Sequence, residues 1–152
     1  MSGCAVIDVD YDYDASYDFS NLNSYSWFEM PVDLPVDTFA MQRIKSAVDQ
    51  QMKKKGFTQT TGPADFIVSL QGYKNTVRQT PQSTRVSGQL TANDQFQEGA
   101  FTLTIIDAKS DRLIWQGHGK GIASPNFSTE DRVKRIDEAI TKLLTSFPPT
   151  GK

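Results

Sequence analysis

The residues of this sequence that could take part in catalysis or metal binding are few and scattered. His118 is the single histidine and Cys4 the single cysteine of the 152-residue chain. A Ser-His-Asp or Cys-His arrangement would have to use His118, and no serine lies in the G-x-S-x-G pattern of a nucleophile elbow. Zinc requires three or four ligands, which one histidine and one terminal cysteine do not supply. The sequence therefore predicts a protein that is not an enzyme and that binds no metal and no cofactor.

Alternating aspartates near the N-terminus suggest one further kind of metal site, a calcium loop. The carboxylates occupy every second position of this stretch: Asp8, Asp10, Asp12 and Asp14. An EF-hand loop starting at the first of them would need glycine and glutamate where the sequence has Tyr13 and Phe19. Alternating residues lie along one face of a strand, where four carboxylates repel one another. We therefore interpret this stretch as a charged edge strand that resists edge-to-edge pairing.

The element that would position most other residues is a β-hairpin predicted for residues 101–117. Its first strand alternates threonines with apolar residues, which is typical of a strand buried on one face: Phe101, Leu103 and Ile105. On the returning strand, simple alternation places Leu113 and Trp115 on the buried face. The same alternation places three residues on the opposite face: Ile114, Gln116 and His118.

Two amphipathic helices and a further strand supply the rest of the predicted core. The first helix, capped by Asp37 or Thr38, has apolar residues at helical spacing: Met41, Ile44, Ala47, Val48 and Met52. Three lysines in its last turn suit the helix dipole, and Gly56 ends it. The last helix starts at Ser128 and has one apolar stripe: Val133, Ile136, Ile140, Leu143, Leu144 and Phe147. The further strand covers residues 65–73.

These elements predict an α+β fold, a single domain with a largely antiparallel or mixed sheet of about five strands and two α-helices on one face. Residues 1–14 are predicted to form an N-terminal lipid-attachment segment with the acidic first strand, and residues 15–150 the domain. Within it, residues 74–98 are rich in Gln, Thr, Ser and Asn. A polar stretch of this length is typical of a flexible or functional arm.

One face of this sheet is a candidate binding site, because two helices with one apolar stripe each cover only the other face. The predicted contact surface is half apolar and uncharged: Ile67, Tyr73, Ile106, Ile114 and Gln116. Such a surface is typical of a protein–protein contact or of self-association. Alternatively, the N-terminal segment or the polar arm folds over it.

A different function remains open, a small-ligand carrier or hydrolase with a pocket between sheet and helices near Trp27 and Trp115.

Charge and hydropathy argue against a nucleic-acid partner and against a membrane-spanning helix. The net charge is −2, and Lys and Arg are dispersed along the chain. Nucleic-acid binding requires a clustered basic face, so the sequence predicts none. No apolar run approaches the roughly 20 residues that span a bilayer as a helix.

The position of Cys4 suggests a different link to a membrane. Ser2 and Gly3 precede it, as small residues precede the lipidated cysteine of a bacterial lipoprotein signal. The apolar region of such a signal would lie upstream of the residues present here. The other interpretation is an incidental terminal thiol.

Several short motifs occur along the chain in a fixed order. They are Asp18-Phe19, Tyr25-Ser-Trp27, Lys55-Gly56, Ala64-Asp-Phe66, Leu103-Thr-Ile-Ile-Asp107-Ala, Leu113-Ile-Trp115-Gln-Gly117 and Phe147-Pro-Pro149. In this order they resemble the bacterial envelope family called domain of unknown function 4136, over nearly the whole chain except residues 74–97. Members of that family look like lipoproteins attached through the N-terminal cysteine, and the family has no established activity.

The resemblance implies that Cys4 carries a lipid and that the protein is a non-catalytic binding or structural module. Ala5 is not the aspartate associated with retention in the inner membrane. The implied location is therefore the periplasmic side of the bacterial outer membrane, with an envelope protein or a second copy as partner. The recurring Trp27, Asp65, Asp107 and Trp115 are implied to be determinants of the fold rather than catalytic residues.

Overall fold

The computed structural model describes residues 7–28, 38–78, 95–123 and 127–149, and these residues form one sheet and two α-helices. The strands are β1 (Asp8–Tyr13), β2 (Ser24–Trp27), β3 (Thr58–Gln59), β4 (Phe66–Arg78), β5 (Gln95–Asp107) and β6 (Leu113–Ala123). The helices are α1 (Thr38–Lys54) and α2 (Thr129–Leu144). The predicted α+β class is confirmed, with six strands rather than about five. The additional strand is β3, which is too short to have a periodic pattern.

The sheet is mixed, and its strand order is β1-β6-β5-β4-β2-β3. The central strands β4, β5 and β6 pair antiparallel, as does β1 with β6, whereas β2 runs parallel to both β3 and β4. The acidic strand β1 lies at one edge, as its alternating carboxylates predicted. The short β3 forms the other edge.

Both helices pack on the same face of the sheet, and the core lies between the helices and the sheet. The Ser128 hydroxyl caps α2 by accepting a 3.1 Å hydrogen bond from the Asp131 N–H. The apolar stripes of the helices meet the buried side chains of the central strands, and the fully buried members of this core include Val48, Met52, Phe66, Leu103, Ile105, Trp115, Ile140 and Leu144. Burial of these side chains supplies the main favourable free energy of folding.

The β5–β6 hairpin contains a β-bulge that changes which residues face the core. Ile105 lies opposite Trp115 and Ile106 opposite Leu113, so Ile114 is an extra residue without its own partner on β5. Ile114 is fully buried in the core, whereas Leu113 is 50% exposed. The prediction that placed Ile114 on the contact surface and Leu113 in the core was therefore wrong. Strict alternation fails here because the bulge adds one residue to β6, so the side chains before it point to the opposite face of the sheet.

Parts of three predictions fall on residues outside the described ranges. Cys4 precedes them, as do all of the first six residues of the predicted segment 1–14. The predicted arm of residues 74–98 is described only at its two ends, where β4 continues to Arg78 and β5 begins at Gln95. Tyr73 pairs with Ala100 across these strands, but its side chain is not among the described ones.

Candidate contact surface

The face of the sheet away from the helices is not covered by another element within the described ranges. We call it the open face. It consists of side chains that alternate with the core positions of β4, β5 and β6: Ile67, Ser69, Gln71, Thr102, Thr104, Ile106, Leu113, Gln116 and His118. These side chains are half-buried or exposed, in contrast to the core residues between them.

One end of the open face is apolar. Ile67 lies directly opposite Ile106 on β5, and Ile106 lies opposite Leu113 on β6. Directly opposed side chains on one face of a sheet are in contact range, so these three residues form a continuous apolar strip. Leu113 is the most accessible of them, because the bulge turns it out of the core.

The centre of the open face is polar and uncharged. The Gln116 side-chain amide donates a 3.4 Å hydrogen bond to the Thr104 hydroxyl, and the Thr102 hydroxyl lies 3.1 Å from the His118 imidazole Nδ1. Cross-strand hydrogen bonds of this kind fix the side chains on the surface of the sheet. The face therefore has an apolar end and an uncharged centre, and beside β1 it carries the carboxylates of Asp10 and Asp12, opposite His118 and Gln116. An ordered surface with an apolar patch and a polar rim suits contact with another protein.

His118 lies on this exposed face, opposite Trp115's side of the sheet, as the sequence predicted. Its neighbours are Thr102 and, by strand register, Asp10 on β1. The Thr102 hydroxyl contacts the imidazole on an open surface that water reaches, whereas nucleophilic catalysis uses a desolvated site. That the protein is not an enzyme stays a prediction.

The structure places the predicted contact residues differently. Ile67, Ile106 and Gln116 lie on the open face and are half-buried. Ile114 does not, and Leu113 takes its place. The signal that could have identified this exchange is the run of three apolar or aromatic residues at 113–115, which strict alternation does not produce.

The two tryptophans named for a ligand pocket are occupied by the protein's own side chains. Trp115 is fully buried and packs its ring against Phe147 at 5.6 Å between centroids. Its indole Nε1 has no hydrogen-bond partner within the described ranges. Trp27 donates its indole N–H to Asp49 Oδ1 at 2.8 Å. The Lys45 ammonium lies over the Trp27 ring, 5.2 Å from its centroid.

Asp49 was missed by the sequence analysis because it lies among the apolar positions of α1. Its Oδ1 accepts a second hydrogen bond, of 2.6 Å, from the Tyr25 hydroxyl. Burial and this bond to a carboxylate both raise the pKa of Tyr25, burial being the larger cause. Asp49 therefore ties α1 to β2, which is a structural role.

The structure also bears on metal binding and on membrane-spanning helices. In the part of the chain that it describes, no three His, Cys, Asp or Glu side chains are grouped to hold a metal ion. Neither of the two described helices has the length and hydropathy needed to cross a membrane.

The comparison with protein families gives a clear match. The family model described as Domain of unknown function (DUF4136) matches residues 9–149. The chain belongs to this family. The resemblance found in the sequence is thereby confirmed, and the match includes the six strands and two helices almost entirely. No curated protein matches the chain.

Solved structures with the same fold as this DUF4136 chain come from several bacteria. A PDZ domain protein from Parabacteroides distasonis has a TM-score of 0.62 and 12% identity; the match covers 95% of this chain and 36% of that one. The PelC dodecamer from Paraburkholderia phytofirmans has a TM-score of 0.52 and 12% identity; the match covers 92% of this chain and 96% of that one. Lipoprotein GNA1162 from Neisseria meningitidis has a TM-score of 0.50 and 8% identity; the match covers 82% of this chain and 99% of that one. At these identities the likeness concerns the fold.

Proposed function

We propose that this DUF4136 chain is the folded domain of a bacterial envelope lipoprotein, a non-catalytic module that binds another protein through its open face. The observation that carries the proposal is the open face itself, which is uncovered in the described ranges, uncharged at its centre and apolar along Ile67, Ile106 and Leu113. Two proteins of the same fold support the wider picture, since one is named a lipoprotein and the other a dodecamer.

The lipid anchor in this proposal is Cys4, and the location is the periplasmic side of the outer membrane. Ser2 and Gly3 before the cysteine and Ala5 after it support both. Only a short stretch of chain separates Cys4 from β1, which begins at Asp8. Four residues reach at most about 14 Å when fully extended. A lipid on Cys4 would therefore hold the β1 edge close to the membrane surface.

The anchor is tested by measuring the intact mass of the protein purified from its native membranes. The expected result is a mature N-terminus at Cys4 with added diacylglyceryl and acyl groups. A Cys4→Ser variant, produced in the same cells, should lose that mass and move to the soluble fraction. An unmodified wild-type chain in the soluble fraction would contradict the anchor and leave the open face untouched as a proposal.

The open face is tested separately with Ile106→Glu and Leu113→Glu, each expressed in place of the wild-type chain. Each puts a charge onto the apolar strip of a surface that is already accessible, so the domain should remain folded. Native complexes, measured by chemical cross-linking in intact cells, should lose the cross-linked species. Val133→Glu is the matched control, because Val133 is also exposed, at 37%, but lies on α2. If both open-face variants cross-link like the wild type, this face is not the contact surface.

A further inference from the structure

The two edges of the sheet have opposite charge. Residues 7–14, which form the β1 edge, include four aspartates and no basic residue. Two basic residues lie beside them, Arg112, which pairs with Asp14, and Lys120, opposite Asp8, so the edge keeps an excess of negative charge. At the other edge, residues 38–55 include five basic residues and one aspartate, and α1 ends there beside β3. The exposed charges nearest the two edges include Asp8, Asp10 and Asp12 on β1 and Lys53 and Lys54 at the end of α1. We call these the acidic edge and the basic edge.

The charges of the two edges are too far apart to neutralise each other within one molecule. Six strands in the observed order are separated by five intervals of about 4.8 Å, which puts the edges about 24 Å apart. The Debye length at physiological ionic strength is about 8 Å. Helix α2, which packs beside β1, has four acidic and four basic residues and adds no net charge. The asymmetry across the sheet is therefore available to a second molecule.

The acidic edge also presents unpaired backbone groups. The Asp14 N–H donates to the Ile114 carbonyl on β6 at 2.9 Å. Because the direction of the N–H alternates along an antiparallel strand, the N–H groups of Tyr11 and Val9 point away from β6. Among the described strands β1 pairs only with β6, so these N–H groups have no strand partner there.

The basic edge is open in the same way among the residues that the structure describes. The Thr58 and Thr60 N–H groups donate to carbonyls of the β2 segment, at 3.0 and 2.8 Å. The intervening Gln59 therefore directs its backbone outward, and both Thr58 and Gln59 are exposed. Within the described ranges, each end of the sheet thus combines backbone groups that have no strand partner with a local excess of charge of one sign.

We propose that copies of this chain associate head to tail, with the acidic edge of one copy against the basic edge of the next. A symmetric contact between two acidic edges would oppose Asp10 and Asp12 to their own copies, and two basic edges would oppose lysines. Like charges across a contact are strongly unfavourable, so the charge pattern selects the heterologous pairing. A heterologous contact repeats, and it produces a closed ring or an open filament.

This inference extends the proposed function but depends on neither the lipid nor the open face. If Cys4 is anchored, the short connection to β1 would hold every acidic edge at the same height, and tethering would raise the effective concentration of the copies. The assembly would then leave the open faces available to other proteins.

The contact is tested with two charge-reversal variants of the full chain. The acidic-edge variant combines Asp10→Lys with Asp12→Lys, and the basic-edge variant combines Lys53→Glu with Lys54→Glu. We expect the wild type to form salt-sensitive oligomers in sedimentation velocity at low ionic strength. Each variant alone should associate at least about 100-fold more weakly, because like charges now meet at the contact. Circular dichroism and thermal unfolding verify that each variant is folded.

Mixing the two variants gives the decisive result. In an equimolar mixture, the reversed edge of each variant meets a complementary edge of the other, so alternating oligomers should form again. Matched controls reverse exposed charges on α2 with the same change in net charge: Asp137→Lys with Glu138→Lys, and Lys134→Glu with Lys142→Glu. These controls should assemble like the wild type.

Three results would overturn the proposal: a monomeric wild type up to about 1 mM, α2 controls that lose assembly as completely as the edge variants, or a mixture that stays monomeric. The open-face variants separate this proposal from the previous one. If Ile106→Glu and Leu113→Glu abolish assembly while the edge variants do not, the open face is the self-association surface and the edges are not.

Discussion

The Tyr17 hydroxyl donates a 2.6 Å hydrogen bond to Asp107 across 90 residues of sequence. The other oxygen of this carboxylate accepts from the Ser110 N–H at 2.8 Å and from the Ser110 hydroxyl at 2.6 Å. Asp107 thus closes the β5–β6 turn and at the same time holds the loop that follows β1. The hydrogen bonds from Ser110 and then Tyr17 lower the pKa of the Asp107 carboxyl below its usual value.

Removing the Tyr17 hydroxyl should destabilise the domain without changing its fold. Tyr17→Phe leaves the Asp107 carboxylate with one donor fewer, and a hydrogen bond to a charged group contributes about 1.5–3 kcal/mol. Because the site is only partly buried, we expect a loss of about 1–2 kcal/mol in the free energy of unfolding, measured by urea denaturation. Tyr13→Phe, at a ring that is 42% exposed, is the control. Equal losses in the two variants would argue against the hydrogen bond.

Ionisation of the Tyr17 hydroxyl should lower the stability of the domain at alkaline pH. Burial, followed by the bond to Asp107, raises the pKa of Tyr17 from 10.0 to about 12. Between these two values the folded state keeps a proton that the unfolded state has lost, so the free energy of unfolding decreases as pH rises. This contribution is complete below about pH 10 and is lost by about pH 12. Tyr25, whose pKa is also raised, adds in the same direction.

The measurement is urea denaturation at several pH values between about 9 and 12. In the wild type, the free energy of unfolding should decrease steadily over that interval. Tyr17→Phe should show a shallower decrease, since one of the two tyrosines no longer titrates. A wild-type stability that is constant across this range would show that neither hydroxyl is bound as described.

The helices and the central strands could be predicted from the sequence because their signals are local. The apolar spacing of residues 41–52, the terminal lysines and Gly56 together define α1, and the Ser128 cap defines the start of α2. Tyr17, Asp49 and Asp107 act through partners that are distant in sequence, and no local pattern reveals such pairs. The short β3 is likewise defined only by its neighbour β2.

The bulge at Ile114 shows how one inserted residue changes a predicted site. The period of a strand is two, so a single extra residue exchanges the core and surface positions that precede it. Residues 115–119 keep their predicted faces, and only Leu113 and Ile114 are exchanged. Ile67, Ile106 and Gln116 thus lie on the face where alternation placed them, whereas Ile114 does not. That this face is a contact surface stays a prediction.

This exchange predicts opposite effects for two adjacent substitutions. Ile114→Glu places a charge in the core and should destabilise the domain by about 4 kcal/mol or more, enough to unfold many domains. Leu113→Glu changes a side chain that is 50% exposed and should alter stability by less than about 0.5 kcal/mol. Thermal unfolding followed by circular dichroism distinguishes the two. A folded Ile114→Glu variant would mean that Ile114 lies on the surface after all.

Replacing Asp49, whose side chain is half-buried, should lower the free energy of unfolding by a large amount. Asp49→Ala removes the acceptor of both the Tyr25 hydroxyl and the Trp27 indole, and the Tyr25 ring is only 2% exposed. Leaving buried donors unpaired costs about 1–3 kcal/mol each, so we expect a loss of about 2–4 kcal/mol in urea denaturation. Gln50→Ala, at the exposed neighbouring position of α1, is the control and should be close to neutral. Similar losses in both variants would assign the effect to the helix rather than to the hydrogen bonds.

The last prediction concerns Gly119 of β6, which faces the core. A Cβ at this position would overlap the Phe101 ring, and Phe101 is only 8% exposed, so the ring has little room to move aside. Gly119→Ala should therefore destabilise the domain by about 1–3 kcal/mol through overpacking. Gly99 of β5 is a matched control, because a Cβ there meets nothing within 4 Å. Gly99→Ala should be neutral or slightly stabilising in the same urea titration, since alanine restricts the unfolded chain. Equal effects at the two glycines would mean that the contact with Phe101 is not what requires glycine at position 119.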